Sequence, residues 1–255
     1  MPSDQPSPNR PGGSSLKEHW RNLRAWLSSS NAEGKEPRPT VILVPPYYVP
    51  HVFMWIAAAR LYAGGYRPRV FRYNSRTRGI PENAELLARF IVETRAAQID
   101  VVAVSMGCIL TRWAANQHQL PPIRRVVMLG PPNRGAILAN GIHRRLGRLT
   151  RLLGGDCALQ LRFGEDGLCE RAGAFGADTE LGIIAGGLGN ERGISKRLPG
   201  DNDGIVAVEE TIMPSMRDFA LVRSRHMILM HHPRGLRYMM RFLKNGRFRD
   251  RQKGH

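Results

Sequence analysis

Acidic side chains are scarce in this chain of 255 residues: 21 Asp and Glu stand against 38 Lys and Arg, for a formal net charge of +17. A surplus of that size creates a positive field that attracts anions, whether nucleic acid, an anionic membrane surface or an acidic partner. The sequence holds no zinc-knuckle spacing, no RNP-like segment and no clear helix-turn-helix pattern. Nucleic acid is therefore not the expected partner. Cysteine is equally scarce. Cys108, Cys157 and Cys169 are the whole set, an odd number too small for the disulfide framework of a secreted domain. Cys157 and Cys169 lie near enough in sequence to pair within one loop region, yet free thiols are expected. No apolar run follows a basic start, which argues against a secretory signal. Aromatic residues make up only 7%, but an apolar content of 42% supports a buried core, and the length suits one domain.

Long uncharged runs are also few. Residues 41–59 carry no Asp, Glu, Lys or Arg and are about long enough to span a membrane. Pro45, Pro46, Pro50 and His51 interrupt them, so a strand, a loop and a helix start are expected instead.

What is present falls into segments. Residues 1–15 are rich in Pro, Ser and Gly and are expected to be a disordered tail. Over 16–28, Leu16, Trp20, Leu23, Trp26 and Leu27 fall at helical spacing opposite Lys17, Arg21 and Arg24. Such an amphipathic helix suits a membrane surface or the body of the domain. A linker over 29–39 leads to a domain over 40–246, and a basic tail follows over 247–255. Within the domain, apolar runs predict strands at 40–44, 69–73, 99–104, 126–129, 181–185 and 220–222. Helical patterns fall at 51–63, 81–97, 106–117 and 233–243. The strand–helix alternation implies a short, doubly wound, mainly parallel sheet.

The alternation breaks after Gly130, and residues 135–180 are expected to form a helical cap beyond the strand ends. Ile142, Leu146, Leu149, Leu152 and Leu153 fall at helical spacing there, beside Arg144, Arg145, Arg148 and Arg151. That helix either covers an acyl-binding cleft and meets anionic head groups, or is fixed cover with a solvated basic face.

The clearest chemical signal is the buried-strand pattern of residues 99–104 running into Ser105-Met106-Gly107 and a helix. A sharp strand-to-helix turn lifts a serine hydroxyl above the sheet edge, and small residues must flank it because backbone and helix crowd the turn. The segment reads Ala103-Val104-Ser105-Met106-Gly107, with Ala103 in the first small position. A hydroxyl needs a base to become a nucleophile. On this architecture the acid and the histidine follow the serine in chain order. Asp203, just before Gly204 in the loop Pro199-Gly200-Asp201-Asn202-Asp203-Gly204, is the chosen acid, with Asp201 as the alternative. His226 lies between the last strand and the closing helix and is the chosen base. His231 and His232 are its rivals, though they adjoin Pro233 and look like a helix start.

Together these residues resemble the bacterial and plant lipases and esterases of the α/β-hydrolase superfamily. Their S-M-G-G elbow is similar to Ser105-Met106-Gly107-Cys108, and their L-G-T-P-N-x-G segment to Leu129-Gly130-Pro131-Pro132-Asn133-Arg134-Gly135. Their D-G-x-V loop is similar to Asp203-Gly204-Ile205-Val206, and their histidine before the last helix to His226. The resemblance spans about residues 40–246. It implies an oxyanion hole built from backbone N–H groups. The family's H-G after the first core strand is replaced by Pro45-Pro46-Tyr47. Proline has no N–H, so the donors implied are those of Tyr47 and Met106.

The expectation is a serine hydrolase. Ser105 attacks an ester carbonyl, His226 takes the proton, Asp203 orients the ring, and an acyl-enzyme is released by water. The substrate is a small-molecule or lipid ester, and no organic cofactor or metal is called for. A cytoplasmic protein, peripheral to an anionic membrane surface, is expected. Two alternatives stand beside this: a catalytically weak member of the fold used for binding, motivated by the proline pair, and an acyltransferase.

Overall fold

A computed structural model describes residues 38–146, 156–162 and 168–249. The expected tail, amphipathic helix and linker before residue 38 lie outside the described residues. So do Leu149, Leu152, Leu153, Arg148 and Arg151 of the expected cap helix.

The apolar runs pair as one sheet. β1 (Thr40–Val44) and β3 (Ile99–Val104) are buried along their whole length, as strands covered on both faces should be. With β2 (Arg67–Val70), β4 (Ile123–Leu129), β5 (Glu180–Gly187) and β6 (Met216–Arg223) they form six strands in the order β2-β1-β3-β4-β5-β6. Every neighbouring pair is parallel.

The edge strands depart most from expectation. β2 starts two residues early and contains Pro68. Proline is tolerated there because an edge strand has one side unpaired. β6 is longer than residues 220–222 because its charged residues sit on the other edge, where Arg217 pairs with Glu180.

Helices cover both faces. On one side α2 (Ile80–Glu93) and α3 (Met106–Gln117) bury Leu87, Ile91, Ile109 and Leu110 against Ile42, Val101 and Val126. On the other, α1 (Trp55–Ala63), entered through a 3-10 turn at His51–Met54, and α5 (Pro233–Asn245) pack Leu61, Met239 and Phe242 against Val41, Val102 and Val127. The uncharged stretch 41–59 is thus a strand, a loop and a helix start. Among the described residues no helix is long and apolar enough to cross a membrane.

The segment after β4 opens with α4 (Ile137–Leu146), on which Arg144 and Arg145 are exposed. Its later part returns to the first core. Gln160 accepts the Ile80 N–H at 2.5 Å, at the start of α2, and Leu161, Leu168, Cys169 and Phe175 pack there. All three cysteines are free and buried. Burial pushes the Cys157 and Cys169 thiols up to about 12. Residues 247–249, assigned to the basic tail from sequence, stay with the domain: Phe248 is 1% exposed, with its ring centroid 5.0 Å from that of Phe242.

Candidate active site

β3 is an inner strand with β1 and β4 on either side, so the turn at its C-terminal end stands in the middle of the sheet edge. Ser105 occupies that turn at φ 52 and ψ −123. A left-handed φ is unusual for a residue with a side chain, and such strain persists only where surrounding structure imposes it. Two neighbours do so here. The Ser105 N–H donates to the Leu129 carbonyl at 2.9 Å, prolonging the β3–β4 ladder by one step. α3 begins at once with Met106 and Gly107. A Cβ at Gly107 would lie 2.6 Å from the Val44 and Pro45 carbonyl oxygens. The small residue after the serine is therefore demanded by the close approach of the loop that follows β1.

Asp203 and His226 meet from different loops. His226 Nδ1 lies 2.6 Å from Asp203 Oδ2, and the two residues are 5% and 2% exposed, respectively. Asp203 Oδ1 is occupied by the N–H groups of Ile205 and Val206, at 3.0 and 2.8 Å. Oδ2 is left to accept from the ring. The His226 N–H also donates to the Asp203 carbonyl at 3.0 Å, so backbone and side chain hold the pair together. With its Nδ1 proton directed at the carboxylate, a neutral ring carries its lone pair on Nε2.

Gly130, one residue beyond the carbonyl that holds Ser105, brings this pair to the serine turn. It adopts φ 56, and a Cβ there would stand 3.1 Å from the His226 ring. Among the described residues Ser105 Oγ forms no hydrogen bond with His226. Hydrogen bonds of this kind often tighten only when substrate is bound.

The alternative residues have other partners. Asp201 accepts N–H bonds from Leu188, Gly189 and Asn202, which makes it a fastener of its own loop. His232 Nδ1 accepts the Arg234 N–H and caps α5. His231 Nδ1 is buried without a partner among the described residues, and burial lowers the ring's pKa.

The loop carrying Tyr47 is anchored by residues that sequence reasoning did not single out. The hydroxyl of half-buried Tyr73 donates to the Pro45 carbonyl at 2.8 Å, and Ser75 Oγ accepts the Tyr48 N–H at 3.1 Å. Burial raises the Tyr73 hydroxyl well above the ordinary phenol range, so it stays a donor. Met106, as the first residue of α3, has an N–H outside the helical ladder. Pro45 and Pro46 thus end β1 in a braced loop against the serine turn.

Two more residues tie the loops together. Arg112 on α3, 4% exposed, donates to the carbonyls of Gly173 and Asn133 at 2.7 and 3.0 Å. Glu210 accepts the Ala207 and Ile137 N–H groups at 2.5 and 2.7 Å, linking the Asp203 loop to the start of α4. Burial pushes its carboxyl up, against those two donors. A buried Arg and a buried Glu are rare without such partners. In sequence neither differs from the many other charged residues of the chain. No cluster of His, Cys, Asp and Glu suited to a metal ion occurs among the described residues.

No protein-family model matches the sequence, and no curated protein matches it. Solved structures do match the fold. A lipase from Bacillus licheniformis superimposes with a TM-score of 0.64 at 17% identity, over 84% of this chain and 94% of its own. A phospholipase from Legionella pneumophila gives 0.62 at 15% identity, over 82% of this chain and 60% of its own. A bromoperoxidase from Bacillus anthracis gives 0.58 at 12% identity, over 84% and 94%. The three differ in chemistry and share one architecture, so the likeness speaks for architecture alone. An all-parallel sheet with helices on both faces and a serine turn at its central edge has that architecture: this chain has the α/β-hydrolase fold.

Proposed function

We propose that this protein is a serine hydrolase of carboxylic esters, with Ser105 as nucleophile, His226 as base and Asp203 as the group that orients the base. The observation that carries the reading is the strained Ser105 turn together with the 2.6 Å Asp203–His226 contact, packed against Gly130 beside it. In this reading His226 Nε2 removes the serine proton as Oγ attacks the carbonyl carbon. Asp203 stabilises the imidazolium, and the ring then protonates the leaving alcohol. The Tyr47 and Met106 N–H groups take the oxyanion. Water attacks the acyl-enzyme by the same route in reverse.

Acyl and lipid-like esters fit the surroundings. Val52, Phe53 and Trp55 near the start of α1, and Met227 and Ile228 directly after His226, are large apolar side chains left exposed. Met54 on one segment and Leu229 on the other enter the same buried cluster, so the two groups share a flank. An anionic membrane surface is the partner that such residues and a +17 chain would favour. Residues 135–180 are our candidate for a cap over the acyl chain. Labelling by a fluorophosphonate probe, followed by esters of increasing acyl length, tests the assignment. Absence of both labelling and turnover would favour a binding role for the fold.

Tyr73→Phe is expected to separate the oxyanion loop from the rest of the site. The buried Pro45 carbonyl loses its donor, at a cost of about 1–3 kcal/mol in stability. The variant should lower kcat more than it raises KM, because the loop matters most once charge develops on the oxygen. Denaturant unfolding and steady-state kinetics on one soluble ester check both halves.

A further inference from the structure

A cleft of about 480 Å³ opens between the loops that follow β1 and β2, and its lining carries arginines and no acidic residue. One wall comes from within residues 45–51 after β1, the other from residues 71–76 after β2. The first wall comes near the candidate site at Pro45, whose carbonyl oxygen, like that of Val44, would lie 2.6 Å from a Cβ at Gly107, two residues after Ser105. The bonds from Tyr73 to Pro45 and from Tyr48 to Ser75 hold the walls at a set spacing.

Tyr48 adopts a left-handed φ of 57. Its ring lies 5.5 Å from the Arg76 guanidinium carbon, and its hydroxyl 3.4 Å from Arg76 Nη1. Arg72 and Arg76 are both exposed, and neither has a carboxylate partner among the described residues. No Asp or Glu lines the cleft. Two guanidinium groups on one pre-formed wall suit an oxyanion, whose paired oxygens match their fork of donors.

We propose that this cleft binds an anionic group, a carboxylate or phosphate, carried by the ester whose carbonyl sits at Ser105. The inference rests on the serine-hydrolase reading and narrows its substrate class to esters bearing a negative charge away from the scissile bond.

Two matched substrate pairs test it and tell the source of the anion. One is the p-nitrophenyl ester of glutaric acid with its far carboxyl free or methylated. The other is an acylglycerol with or without a 3-phosphate. In at least one pair kcat/KM should favour the charged member. In Arg72→Gln/Arg76→Gln that preference should fall about ten- to hundredfold, the scale of a charge-assisted hydrogen bond. Raising salt should also shrink it. Calorimetric titration of Ser105→Ala with the acylglycerol pair reads the cleft without turnover. Tighter binding of the phosphate, lost when both arginines are replaced, supports the cleft even if wild-type protein hydrolyses nothing, an outcome that would sink the hydrolase reading alone. Equal kcat/KM within both pairs, or a preference unaltered by the double substitution, overturns the anion site and leaves the esterase assignment standing.

Discussion

Ser105→Ala is expected to lower kcat for ester hydrolysis by about 10⁶, the scale on which the triad serine acts in a serine protease. The expectation follows from position. Ser105 is the residue forced into a left-handed turn at the central strand end, with the Asp203–His226 pair packed on Gly130 beside it. Its hydroxyl makes no hydrogen bond among the described residues, so the variant should unfold at nearly the wild-type denaturant concentration. Fluorophosphonate labelling should vanish with the activity. A Ser105→Ala protein that still turned over the same ester at a rate within tenfold of wild type, an energy of only about 1.4 kcal/mol, would move the nucleophile elsewhere.

Asp203→Asn should lower kcat by about 10⁴ with little change in structure. The amide can place an N–H where Oδ2 now accepts from His226 Nδ1, which favours the tautomer with its proton on the wrong nitrogen. The bonds from Ile205 and Val206 to Oδ1 can be kept by the amide oxygen, so loop geometry should survive. Asp201→Asn provides the contrast. Its carboxylate receives the N–H groups of Leu188, Gly189 and Asn202 and does not contact His226. That change should reduce stability, by about 1–3 kcal/mol, far more than it reduces kcat. Steady-state kinetics and denaturant unfolding on the two variants separate these effects, and a larger kcat loss in Asp201→Asn would reassign the acid.

Much of the architecture can be read from local pattern. The apolar run of β3 and the Ser105-Met106-Gly107 turn place a hydroxyl at a sheet edge, because strand burial and the demand for a small residue are both properties of neighbouring positions. The chain order of Ser105, Asp203 and His226 follows from the same parallel winding. The limits of β2 and β6 were less legible. An edge strand can include Pro68 or the charged pair Arg217 and Asp218, and its composition then no longer looks like a strand.

Tertiary structure alone decided which acid meets which ring. Asp201 and Asp203 lie two residues apart in one polar loop, and His226, His231 and His232 within seven residues of one another. Local pattern can rank them but cannot measure them. The fold separates them because the loop after β5 turns Asp203 back beneath the chain leaving β6, while it spends Asp201 on its own N–H groups. The anchoring of Pro45 by Tyr73, and the ties from Arg112 to Gly173 and from Glu210 to Ile137, join positions 28 to 73 residues apart in the chain. A sequence marks which face of an element is buried through a period of two or nearly four residues. Contacts between loops carry no such period, so their pairing exists only once the sheet has brought the strand ends together.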